Sequence, residues 1–141
     1  MTLASWQVWA GLSAVFAAMT AVFGKVGVSG VNSDYATLLR TLVIVVVLAG
    51  FVAATGQAQP IAQVGRRSLL FLTLSALATG ASWVCYYRAL QLGPAARVAP
   101  IDKLSVVLVA IFSAAFLGER PSGLNWAGVA LIGVGAVLVA L

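Results

Sequence analysis

Histidine is absent from the 141 residues, and the carboxylates number three: Asp34, Asp102 and Glu119. Histidine triads and histidine metal sites are therefore excluded, and three dispersed carboxylates are too few for a membrane-embedded enzyme's acids and bases. No enzyme, no metal and no cofactor is expected. The single cysteine, Cys85, rules out an intrachain disulfide and any cysteine cluster for zinc or iron–sulfur, so it says nothing about redox compartment. By the general habit of the residue it should be a small buried side chain. Charged residues make up only 8% of the chain, where an ordinary soluble domain carries roughly 25%.

What is abundant is apolar. Hydrophobic residues are 62% of the sequence and the mean hydropathy is +1.10, which is the composition of an integral membrane protein. Five spans of about 20 residues would take about 100 positions, so one all-α transmembrane domain over residues 1–141 is expected. The net charge is +5. In a soluble protein that would suggest nucleic acid, but the eight cations are scattered at helix ends and turns, with no aromatic stacking surface, and read as headgroup and topology anchors. The N-terminus lacks the positive region of a signal peptide, so the first span is expected to be retained.

Five runs follow from the breaks. Trp6 to Gly24 is the first, ended by Lys25 and a turn-rich stretch with Gly27, Ser29, Gly30, Asn32 and Ser33. Tyr35 to Ala54 is the second, interrupted only by Arg40, and Gly56, Pro60 and Gly65 break the chain after it. Ser68 to about Leu92 is the third, stopped by Gly93 and Pro94. About Val98 to Leu117 is the fourth, and Leu124 to Leu141 the fifth. No low-complexity linker and no internal repeat is visible. The last residue is expected to lie flush with the membrane.

An odd number of spans puts the termini on opposite faces. Arg66, Arg67 and Arg120 then share the N-terminal face, while Lys25 and Arg97 lie in loops of the other, with Arg40, Arg88 and Lys103 inside the same end. Three cations against two to five is too even to fix orientation. Dual insertion and one orientation set by a weak bias both remain open.

Within the spans, small and polar residues carry the hints, because the hydrophobic effect does not join helices in lipid. Gly128 and Gly135, two turns apart, share a face and would let another helix approach. Ser75, Thr79, Ser82 and Tyr86 form one polar stripe, which should meet a protein neighbour or a water-filled cavity; hydroxyls can also bond their own helix backbone. Trp83 beside the stripe is too deep for an interfacial belt and is either core packing or a cavity wall. Trp6, Trp9 and Trp126, at span ends, fit the belt.

Charge inside a span is the stronger signal. Arg40, Arg88, Asp102 and Lys103 all fall in the half of the membrane nearer the first and third loops, and could meet in one layer. Arg40 also has the option of snorkelling to the headgroups. Asp102 is read as lying in a first helical turn opened by Pro100, where a carboxylate suits the dipole. Lys103 opposes that dipole and so calls for a partner: Asp102 of another subunit, a lipid phosphate or an anionic solute. Lys103 is placed about 100° around the helix from Asp102 and Ser105, too far to serve the same point. Three cations against one anion hint at a carboxylate- or phosphate-bearing ligand.

The run Tyr87-Arg88-Ala89-Leu90 through Gly93-Pro94, then Val98-Ala99-Pro100-Ile101-Asp102-Lys103-Leu104-Ser105, ending Phe116-Leu117-Gly118-Glu119, resembles the drug/metabolite transporter superfamily and its EamA-type five-helix domain. Phe23-Gly24-Lys25 and Arg40 match as well. The pattern looks like the bacterial/archaeal transporter branch, whose members are single five-helix chains. The resemblance implies a small-solute carrier of a prokaryotic cytoplasmic membrane, working as half of a ten-helix inverted-repeat architecture. An antiparallel homodimer would rebuild the ten helices, pairing through the last helix with Gly128 and Gly135. Helices 1 to 4 would line a cavity for an anionic or zwitterionic solute. Its cavity or gating residues would be Arg40, Tyr86, Arg88, Asp102, Lys103 and Ser105, with Ser75, Thr79 and Trp83 as lining. The related small multidrug resistance proteins use a glutamate in helix 1, which has no ionisable residue here, so that mechanism does not carry over. Glu119 reads as structural. The alternative is a non-catalytic membrane subunit that pairs with an oppositely oriented partner.

Overall fold

A computed structural model describes residues 5–141. Among the described residues all regular structure is helical: α1 (Ser5–Gly27), α2 (Ser33–Ala54), a short 3-10 turn at Ile61–Gln63, α3 (Arg66–Leu92), α4 (Ala95–Asp102), α5 (Ser105–Phe116) and α6 (Gly123–Ala140). Five helical stretches are long and apolar enough to cross a membrane, the fourth being α4 and α5 together, Ala95–Phe116. In lipid a helix is the one open segment that satisfies its own backbone, so apolar runs of this length take that form.

Caps extend several helices beyond the expected bounds. The Asn32 side chain accepts from the backbone of Asp34 at 2.9 Å and Tyr35 at 3.1 Å, starting α2 two residues early. At the other end the Gln57 N–H bonds the Val52 carbonyl and the Gly56 N–H the Ala53 carbonyl, both at 3.2 Å. This is a Schellman stop, and it holds Gly56 at φ +65°, a conformation open to glycine without strain. Ser122 caps α6 through the Asn125 N–H at 3.2 Å.

The fourth span departs most from the sequence reading. It starts at Ala95, directly after Pro94, and is interrupted at Lys103 and Leu104. Pro100 therefore lies inside α4, not in a first turn, and removes one N–H from the ladder. The chain tightens there to three-residue bonds, Leu104 N–H to Ile101 and Val106 N–H to Lys103, each at 3.0 Å.

The chain falls into two compact units. One holds the residues up to Val26 together with Leu92–Leu141; the other is Gly27–Gln91. In the first, α6 packs along α4 and α5. Its buried residues among those described are small: Ala21, Gly24, Ser113 and Ala136. In the second, Val28, Ser33, Thr37, Tyr87 and Leu90 are buried. The hydroxyls of Thr37 and Thr41 turn back on their own helix, onto the Ser33 and Thr37 carbonyls at 2.8 and 2.7 Å. Elsewhere α3 is uncovered, and no residue of its most apolar window is buried.

Candidate functional site

In the Gly27–Gln91 unit, long side chains of α3 reach the start of α2 and the loop before it. Arg88 donates twice to Asp34, at 3.0 Å to Oδ1 and 2.7 Å to Oδ2, and the Gln91 amide donates to the Val31 carbonyl at 3.0 Å. Asp34 sits in the first turn of α2, where the helix dipole favours its charge. The ion pair is open, with 58% and 49% of the two side chains exposed.

One to two turns deeper lies Arg40. Its guanidinium carbon is 4.1 Å from the centroid of the Trp83 ring and 5.2 Å from that of Tyr87. Trp83 and Tyr87 are four residues apart and so share a face of α3. Tyr87 is buried, while Arg40 and Trp83 are partly buried. Counted at 1.5 Å per residue Arg40 enters α2 about 10 Å from the helix start, and Trp83, the nearer ring, is about 14 Å from the end of α3. A cation over an aromatic face is stabilised by roughly 0.5–2 kcal/mol, less than the roughly 2.5–3.5 kcal/mol that a central charge costs on insertion scales. Its Nη1 is covered and has no hydrogen-bond partner.

The other unit holds Asp102, Lys103 and Ser105. Lys103 Nζ meets Asp102 Oδ2 at 3.1 Å, which corrects the expectation that the two point too far apart to serve one place. The backbone at Lys103 is still helical, at φ −72° and ψ −6°, so it is the long flexible lysine stem that reaches its neighbour. Lys103 caps the C-terminus of α4 and directly precedes the Leu104 N-cap of α5, so the two helix dipoles act on it in opposite senses. The same unit ties Lys25 Nζ to the Gly93 carbonyl at 2.8 Å.

Within the Gly27–Gln91 unit Arg88 pairs with Asp34 and Arg40 with aromatic rings, and within the other unit Lys103 pairs with Asp102. Ser75, Thr79 and Ser82 are exposed and Tyr86 partly buried. Thr79 donates to the Ser75 carbonyl at 2.8 Å, so at least one hydroxyl of the stripe bonds its own helix. Cys85, expected to be buried, is exposed, because the chain covers so little of α3. The sequence reading missed Asp34 and Tyr87 as partners. Trp83 and Tyr87 at a four-residue spacing were a visible signal; the Asp34–Arg88 pair, 54 positions apart, has no local one.

On α6 a side chain at Gly128 or Gly135 would meet nothing within 4 Å, whereas one at Gly133 would meet Val107 Cγ2 at 3.3 Å. Gly133 is the close approach inside the chain, and the face of Gly128 and Gly135 is open.

The model of the EamA-like transporter family matches residues 4–141. The chain belongs to that family. A protein of Sinorhizobium sp. named "Uncharacterized transporter in cobO 3'region" is 63% identical to this EamA chain over 137 residues, 97% of each. No solved structure matches the chain. The five apolar spans accord with a multi-pass membrane transporter of the EamA family.

Proposed function

We propose that the chain, as one EamA-type transmembrane domain, transports a small anionic or zwitterionic solute across a prokaryotic cytoplasmic membrane. It works as an antiparallel homodimer by alternating access. The observation that carries this is the interruption of the fourth span. The Asp102–Lys103 pair lies about 11 Å into the span, beside backbone taken out of the regular ladder. Charges and irregular backbone at such depth are tolerated against protein or a water-filled cavity, not against lipid. Discontinuous spans of this kind are where secondary transporters place solute and ion sites.

Asp102, Lys103 and Ser105 serve on this reading as cavity or gating residues, as do Arg40, Tyr86 and Arg88. Ser75, Thr79 and Trp83 line the cavity. The uncovered stripe and the open glycine face of α6 support a second copy, with Gly128 and Gly135 at its interface. Rocking of one protomer against the other then exposes the cavity to each side in turn.

The test is flux in liposomes of purified protein, with radiolabelled succinate, inorganic phosphate and alanine as probes. Protein-dependent flux of at least one probe is expected, falling at least tenfold in Arg40→Ala and in Asp102→Ala. Flux of all three equal to that of protein-free vesicles overturns transport. Flux that survives both substitutions overturns the site.

A further inference from the structure

We infer that Arg40, stacked on Trp83 and Tyr87, is a binding site for an oxyanion, a carboxylate or phosphate group. That this group belongs to the transported solute rests on the transport reading above. The ring faces satisfy part of the charge but accept no hydrogen bond in the guanidinium plane. Nη1 is covered, and among the described residues no acceptor takes a hydrogen bond from it.

Among the described residues no carboxylate pairs with Arg40. Asp34 is held by both its oxygens on Arg88, and Asp102 pairs with Lys103. Arg40 is thus an intramembrane cation that faces aromatic carbon and lacks a counter-anion. Arg40 is only partly buried, and with Nη1 covered a ligand would have to meet the fork through Nε and Nη2. A planar fork of donors fits the paired oxygens of a carboxylate or phosphate, which a lysine ammonium does not match. The same oxygens occur on a free solute and on a lipid headgroup. The closer contact with the deeper ring, Trp83, favours the solute.

Trp83 reports on the site. With Trp6, Trp9 and Trp126 replaced by phenylalanine, the protein in neutral detergent is titrated with succinate and with inorganic phosphate at fixed ionic strength, with tetraethylammonium as the cationic control. A saturable change in Trp83 emission with at least one anion and none with the cation is expected. Arg40→Ala should abolish it, and Arg40→Lys, which keeps the charge and guards against a folding defect, should weaken it at least tenfold. No saturable response to either anion, or a response unchanged in Arg40→Lys, overturns the inference. A second arm uses nanodiscs of phosphatidylcholine alone or with phosphatidylglycerol. A response to phosphatidylglycerol that succinate and phosphate cannot reproduce assigns the site to a headgroup and overturns the solute. Flux without anion binding at Arg40 overturns this inference alone. Anion binding without flux retains the oxyanion site and overturns transport.

Discussion

At the scale of single residues, the two arginines of the Gly27–Gln91 unit show how placement decides what a charge is worth. Arg88 and Asp34 make a two-point ion pair of good geometry, yet both remain about half exposed. An open pair exchanges one solvated state for another, and screening leaves it about 0–1 kcal/mol. A double-mutant cycle with Asp34→Asn and Arg88→Gln, read by thermal unfolding in detergent, should give a coupling below about 1 kcal/mol. It should shrink further in 1 M salt, where the Debye length falls to about 3 Å. A coupling above about 2 kcal/mol that ignores salt would show a dry pair and contradict its exposure. Arg40 is the opposite case. It has no anion to lose, so its replacement should change ligand response and leave the ion pair's coupling as it was.

At the scale of elements, α6 presents small residues on two sides. Gly133 meets Val107 of α5, where an added carbon would stand at 3.3 Å, and Gly128 and Gly135 meet open space. Gly133→Leu should therefore force α6 off α5 and lower the unfolding temperature in detergent. Gly128→Leu with Gly135→Leu should leave that temperature within a few degrees while abolishing the dimer in chemical cross-linking. Equal destabilisation by both sets would mean that the second face also packs within the chain. The seven-residue spacing of Gly128 and Gly135 was legible in the sequence. The role of Gly133 was not, because spacing ranks positions around a helix without saying on which side a neighbour lies. The same limit explains the fourth span. Gly93 and Pro94 marked its beginning, but Pro100 read as a helix start when Ala95 to Ala99 could already carry the helix to it. The interruption at Lys103 then followed from tightened bonds that no periodicity announces. The five spans themselves were plain, since length and apolarity alone decide them.

At the scale of the whole molecule, what one chain leaves uncovered is the main fact. The apolar window of α3 has no buried residue, its hydroxyls at Ser75, Thr79 and Ser82 are exposed, and the glycine face of α6 is open. Lipid can cover the aliphatic part, but hydroxyl stripes and glycine faces are where membrane helices meet other helices. A second copy in the same orientation would not produce the inverted halves on which alternating access depends. Inversion needs each chain to enter the membrane both ways, and the even distribution of cations permits that. Impermeant thiol labelling of single cysteines decides the matter, one placed in the segment between α2 and α3 and one at Leu141, each in a Cys85→Ser background because Cys85 is itself exposed. These two positions lie on opposite faces of a five-span chain. Labelling of both from outside intact cells, each in about half of the molecules, is the expected outcome for a self-sufficient antiparallel dimer. Labelling of one alone would fix a single orientation and overturn the homodimer. An oppositely oriented partner of different sequence would then have to supply the other five helices, and it should co-purify with this chain in equal amount.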